Sequence, residues 1–329
     1  LAIDTMLDDF KDGFFPNIGE GKQAAYNSVD APLWFFWTLQ QYAYINDARK
    51  EVWQAYSHIM RNILENFSEG VSNVRMDSNF LLWQGEEGKA LTWMDAIIDG
   101  NPVTARKGYA VEINALWYNA VMFYRELAKL QCQDGEIAKW DEFAENFPTN
   151  FKATFWSKEI GYLADYVDGA YKDFSVRCNM IFAASLEYSP ISPKIRQLIV
   201  EKVKQELLTP RGIRSLSPTH KDYHEIYFGN QQERDRAYHN GTVWPWLIGA
   251  FSEAFLRVYG KESINYIEQI YNEFGNILCD YCVGSIAEVY DGNPPYKAGG
   301  SISQAWSVAE VCRMKYMIDK CKQFNDSQL

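Results

Sequence analysis

A chain of 329 residues, 47% of them hydrophobic, has room for one large domain or two ordinary ones and can bury a sizeable core. A formal net charge of −11 excludes a nucleic-acid partner, which needs a basic face, and an anionic membrane surface, while leaving a neutral solute unconstrained. Six cysteines without dense or regular spacing point to reduced thiols in the cytoplasm rather than a disulfide framework, and no apolar run approaches the roughly 20 residues of a membrane span.

In chain order, a 3.6-residue apolar period predicts helices near 1–12, 28–45, 47–67, 112–132, 135–154, 176–188, 192–207, 242–259, 261–280 and 302–322. Strand signals are few and short, mainly over 155–168, which has the pattern of a surface hairpin. Long polar loops over 68–110, 208–241 and 281–301 are rich in Trp, Tyr, His and carboxylates, and loops of that length in a compact domain carry function. Asn46–Asp47, Ser189–Ile191 and Gly260 make short connections between helices, which implies antiparallel neighbours. The first helix of each pair is apolar over much of its circumference, and the second is striped. That pattern predicts an inner and an outer ring of helices, an all-α (α/α) toroid.

The unusual motifs sit at the starts of the inner helices: YNSVDAPLWF at 26–35, GYAVEINALWY at 108–118, DFSVRCNM at 173–180, AYHNGTVWPW at 237–246 and GGSISQAW at 299–306. Helix N-termini offer unpaired N–H groups and the positive end of the dipole, so these ends predict one pocket; the plainer reading is five ordinary caps. Asp95 in LTWMD follows Trp93 and Met94, apolar neighbours expected to desolvate a proton donor; the alternative is a loop carboxylate in a local turn. Glu288 lies between Ala287 and Val289, either a buried functional carboxylate or the outward residue of an alternating strand. Asp291 competes with it, though an Asp-Gly turn accounts for that residue. Glu112 and Asp30 open helices, where a carboxylate serves a sugar hydroxyl or merely complements the dipole. His239 suits a hydroxyl contact better than a metal, since His220, His224 and His239 lack zinc spacing. Cys279 and Cys282 form a lone CxxC with nothing to complete a metal site. Of the two Trp flanking Pro245, Trp244 is expected to face the pocket and Trp246 the core.

Over nearly its whole length the chain resembles the C-terminal, amylo-α-1,6-glucosidase domain family of glycogen debranching enzymes. The resemblance rests on DGFFPN (12–17), YNSVDAPLWF, LTWMDA, VEINALWYNA, RSLSPTH (214–220), YHNGTVWPWLIGAF and SIAEVYDGNPP followed by SQAWSVAEV, in that order. It implies one (α/α)6 toroid over 1–329, of the glucoamylase-like six-hairpin type. It also implies inverting removal of the single α-1,6-linked glucose left at a trimmed branch of glycogen or another α-glucan, with no metal or organic cofactor. Asp95 would be the general acid and Glu288 the general base. Asp30, Trp93, Glu112, Trp117, Arg177, His239 and Trp244 would contact the sugar. Two departures stand out. Arg177-Cys178-Asn179-Met180 replaces the family's Arg-Pro-Asn-Gln, and the family's Gly-Arg-Asp segment is expected before Leu1. One or two N-terminal helices of the toroid would then lie upstream, in a larger parent protein. The alternatives are another (α/α)6 α-glucosidase, acting on α-1,4 or trehalose-type linkages, and a glucan-binding fragment without activity. A repeat scaffold would show similarity between successive pairs, and none is visible.

Overall fold

A computed structural model describes residues 2–17 and 24–326 of the chain. It is about half helical, with 13% of residues in short strands. The helices are α1 (Ala2–Leu7), α2 (Asp30–Ile45), α3 (Arg49–Glu69), α4 (Val111–Leu130), α5 (Asp134–Ala138), α6 (Asp141–Phe155), α7 (Ile181–Ser185), α8 (Pro193–Glu206), α9 (Gln231–Tyr238), α10 (Leu247–Tyr259), α11 (Ile264–Gly275) and α12 (Ala305–Asp326). No helix among the described residues is long and apolar enough to cross a membrane. All six thiols are free.

The chain divides into two compact units. The first comprises 1–156, 166–173 and 187–191. Within it α4 packs against α2, α3 and α6. Most of α4 is buried, whereas α3 buries only a stripe of Val52, Trp53, Met60, Ile63, Leu64 and Phe67. Helix α6 commits Phe143, Phe147, Phe151 and Phe155, spaced by four, to the core, and the Phe147 ring stacks on Tyr118 at 5.1 Å. This is the expected contrast between buried and striped helices.

The second unit comprises 157–165, 174–186 and 192–329. Helix α10 packs against α7, α8 and α12, and α11 packs against α12. Helix α12 buries Ser307, Glu310, Val311, Met314 and Ile318, again on one stripe. A five-stranded antiparallel sheet of two- and three-residue strands runs in the order Leu208–Thr209, Gly212–Arg214, Val243–Trp244, Val289–Tyr290 and Ala298–Gly299.

Several boundaries differ from the sequence reading. The expected helix over 1–12 ends at Leu7, because Asp12 and Gly13 take positive φ and Lys11 pairs with Phe14; Leu1 lies outside the described residues. The helix over 176–188 shrinks to a 3-10 turn, Cys178–Met180, running into α7, which stops where Leu186 becomes extended. The helix expected from 242 starts at Leu247, since Val243–Trp244 is a strand. Helix α9 lies inside a segment read as loop. Its start is a capping box in which Asn230 accepts from the Glu233 N–H and Glu233 accepts from the Asn230 N–H.

Candidate active site

In the first unit, the LTWMD segment is extended and tied to the start of α2 by a hydrogen bond from Val29 N to Leu91 O at 2.9 Å. Alternation along it sends Thr92, Met94 and Ala96 inward and leaves Asp95 and Ile97 exposed. This corrects the expected environment of Asp95. Met94 is fully buried on the opposite side, and of the two apolar neighbours expected to desolvate Asp95, the half-buried Trp93 alone lies on its face. Desolvation falls instead on Asp30, the first residue of α2, which is 5% exposed. Burial pushes the Asp30 carboxyl above its ordinary value; the Ser28 hydroxyl, which donates to it, works the other way, and the negative field of Asp95 adds to the rise.

Beyond Ala96 the chain turns back at Asp99 and Gly100, both with positive φ (51° and 78°), in a tight hairpin that pairs Ile97 with Pro102 and Ile98 with Asn101. The return strand brings Arg106 beside Thr92. Its guanidinium reaches the Thr92 hydroxyl at 3.3 Å and grips Glu112 with two parallel hydrogen bonds, Nη1 to Oε1 and Nη2 to Oε2, the second at 2.5 Å. Both side chains are at most 2% exposed. Glu112 is therefore half of a buried, forked ion pair, and Arg106 is the residue that sequence reading missed. Asn114, two residues further along α4, fixes the neighbouring strand by accepting from Leu82 N at 2.7 Å and donating to Leu82 O at 3.1 Å. Trp117, expected at the sugar, lies in an aromatic cluster. Its ring is fully buried among Phe67, Trp140 and Phe143, and its Nε1 donates to Phe80 O at 3.3 Å.

In the second unit a continuous network leads to Glu288. Arg177, 6% exposed, donates from Nη1 to the His239 carbonyl at 2.6 Å and from Nη2 to Asn240 Oδ1 at 2.9 Å. Asp165, another buried carboxylate that the sequence did not advertise, accepts from Asn179 Nδ2 at 2.8 Å and lies 3.9 Å from Arg177 Nε. Arg177 thereby shapes the turn that carries His239. The His239 and Trp244 rings are parallel within 3° at 5.5 Å, and both pack on Tyr238. Trp244 also donates from Nε1 to Tyr238 O at 3.0 Å. Trp246 is sandwiched in the core between Phe182 and Trp306, as expected of the partner Trp.

Tyr238 donates its hydroxyl to Glu288 Oε1 at 2.5 Å. Glu288 is half-buried and also accepts from Ser301 N at 2.7 Å and Gln304 Nε2 at 3.3 Å. Three donors thus fix both carboxylate oxygens of a group that still reaches solvent, an arrangement suited to holding a water molecule in one orientation. Asp291 does a different job. It accepts from Tyr227 N at 2.8 Å, anchoring the 224–228 loop, and burial pushes its carboxyl above the ordinary value.

Of the nine expected residues, Asp30, Trp93, Asp95, Glu112 and Trp117 fall in the first unit and Arg177, His239, Trp244 and Glu288 in the second. Among the described residues no group of three or more His, Cys, Asp or Glu is placed to hold a metal ion.

The chain is similar to the glycogen debranching enzyme of Saccharomyces cerevisiae (strain ATCC 204508 / S288c), at 24% identity over 343 aligned positions that cover 77% of this chain. It spans only 22% of the yeast protein's length. The family profile described as amylo-alpha-1,6-glucosidase matches residues 2–313, from the first helix to the middle of the last, so the chain belongs to the amylo-alpha-1,6-glucosidase family of glycoside hydrolases.

Proposed function

We propose that this chain hydrolyses the single α-1,6-linked glucose at trimmed branch points of glycogen or a related α-glucan, with inversion. Asp95 acts as general acid, giving its proton to the glycosidic oxygen as the bond to C1 breaks. Glu288 acts as general base, taking a proton from the water whose oxygen bonds to C1 from the opposite face. The products are β-glucose and a free 6-hydroxyl on the glucan, and proton exchange with solvent resets both carboxyls. The observation that carries this reading is the presentation of Glu288, oriented by Tyr238, Ser301 and Gln304 yet open to water. Asp30, Trp93, His239 and Trp244 are assigned to the sugar. Glu112 acts through the Arg106 fork, and Arg177 through the His239 turn that it holds.

The (α/α)6 toroid is part of the same proposal, supported within each unit by the contrast between the buried helices α2, α4, α7 and α10 and the striped helices α3, α6, α8 and α11. The reading assigns the protein to the cytoplasm, with neither nucleic acid nor membrane as partner and no cofactor.

Proton NMR of glucose released from a maltooligosaccharide bearing one α-1,6-glucosyl stub tests the mechanism. The expected first product is the β-anomer, and both Asp95→Asn and Glu288→Gln lower kcat by at least about 10²-fold with circular dichroism unchanged. Early α-glucose would overturn inversion, and an active Glu288→Gln variant would remove Glu288 from the role of base.

A further inference from the structure

The segment 224–233 is fixed at both ends and bare in its middle. At one end His224 N donates to Asn240 O at 2.7 Å and Gly292 N to Glu225 O at 2.8 Å. Tyr227 turns inward, its N–H on Asp291 and its ring 5.5 Å from that of Tyr238, the donor to Glu288. At the other end the Asn230–Glu233 capping box starts α9, and Arg234 Nη1 donates to Gly229 O at 2.6 Å. Between these anchors, alternation points Ile226 and Phe228 outward, 56% and 81% exposed. A large apolar ring left in water on a well-anchored loop asks for a ligand.

The surroundings indicate its chemistry. A groove of about 380 Å³ is lined by His224, Ile226, Phe228, Gly229, Glu233 and Arg236. The Glu233 carboxylate serves the helix cap. Neither the His224 imidazole nor the Arg236 guanidinium is engaged in a hydrogen bond or ion pair among the described residues. A flat apolar ring flanked by idle donors matches a neutral polyhydroxy ring, whose C–H face stacks while its hydroxyls accept. Phe228 also lies one residue from Tyr227, whose ring packs on that of Tyr238, the donor to Glu288.

We propose that this groove binds the α-1,4-linked chain that carries the branch, with one glucose stacked on Phe228 and its hydroxyls served by His224 and Arg236. The assignment rests on the glucosidase reading of Glu288 and adds to it the site for the leaving chain. Because the backbone on either side of Phe228 is anchored in advance, little is lost in ordering the loop on binding.

Calorimetric titration of the full chain with maltohexaose, a linear α-1,4 glucan, tests this. Phe228→Ala should raise Kd by about tenfold, Phe228→Trp should keep it within about twofold, and Tyr171→Ala, an exposed aromatic in the other unit, should leave it unchanged. On the stub-bearing substrate Phe228→Ala should raise KM by a similar factor, with kcat within about twofold. No binding of maltohexaose to the unaltered chain, or an unchanged Kd in Phe228→Ala, overturns the proposal. The two readings fail separately. Binding that depends on Phe228 without any glucose release removes the glucosidase assignment and keeps the groove, while glucose release indifferent to Phe228 does the reverse.

Discussion

At the scale of single residues, the site depends on how carboxylates are held. Gly300 has a positive φ of 69°, and a Cβ there would stand 2.3 Å from Glu288 Oε2. Gly300→Ala must therefore push Glu288 away from the position set by Tyr238, Ser301 and Gln304. A displacement near 1 Å costs about 10²-fold in rate, so kcat should fall by that order while KM stays nearly constant, measured on the stub-bearing substrate. Arg106 and Glu112 pose a different question. Arg106→Ala leaves a buried carboxylate without its fork and should cost about 3–5 kcal/mol in urea unfolding. Replacing both, Arg106→Met with Glu112→Leu, should recover most of that stability, because a packed apolar pair leaves no buried charge unpaired, but not activity, because the fork through which Glu112 acts is gone. Glu112 was legible as a carboxylate at a helix start. Its partner was not, since only the Asp99–Gly100 hairpin brings Arg106 back to it, and that turn signal had been read as an undifferentiated loop. Trp117, which the resemblance assigns to the sugar, has an aromatic setting that no motif foretold: α4 turns its ring in among Phe67, Trp140 and Phe143.

At the scale of elements, helices were read well where an apolar stripe meets a run of three turns or more, as in α2, α3, α4 and α6. The five-stranded sheet was invisible because strands of two or three residues are too short to show alternation. Helix α9 was missed because it is almost wholly polar, although Asn230 and Glu233 carried the spacing of a capping box. The α10–α12 crossing is tied by a charge network with no sequence signature. Glu253 accepts from Arg257 and from Arg313, each at 2.8 Å, and Arg313 also donates to Glu310 at 2.7 Å. Burial raises the Glu253 carboxyl, but Arg313 and Arg257 outweigh it and hold the group below the ordinary glutamate value of 4.5. A depressed carboxyl contributes stability that is present above its unfolded value and disappears as the pH falls through the folded one. Glu310 has the opposite sign: burial raises it, so it opposes folding increasingly as the pH climbs above 4.5. Glu253→Gln should thus lose about 2 kcal/mol at pH 7, and the gap from the unaltered protein should narrow steadily as the pH falls below 4.5, followed by urea midpoints across the range.

At the scale of the whole molecule, the path of the chain constrains how it folds. Between residues 156 and 192 the backbone passes back and forth between the two units: 157–165 belongs to the second, 166–173 to the first, 174–186 to the second and 187–191 to the first. Each excursion supplies something its unit needs. In the first unit, Tyr166 and Val167 pair with Ala110 and Tyr109 at the entry to α4, and Tyr166–Asp168 forms a hairpin with Tyr171–Asp173. Tyr188 donates its hydroxyl to Glu126 at 2.9 Å and its N–H to Asn119 Oδ1 at 3.2 Å, so the short 187–191 piece covers polar groups on α4. In the second unit, 157–165 contributes Asp165 to the Arg177–Asn179 cluster that shapes the His239 turn. A single cut after residue 156 therefore does not separate two self-sufficient pieces. The fragment 1–156 keeps six of the described helices but leaves the strand at 109–110 with an exposed edge, and takes the Tyr188 N–H from Asn119 Oδ1 and the Tyr188 hydroxyl from Glu126. Expressed alone, it should show helical circular dichroism without a cooperative urea transition, whereas the full chain should unfold in one transition with coincident fluorescence and far-ultraviolet midpoints. Extending the fragment to residue 191 restores both missing pieces of the first unit and should bring back part of the cooperativity. A sharp transition from 1–156 itself would show that the excursions are ornaments on a unit already complete.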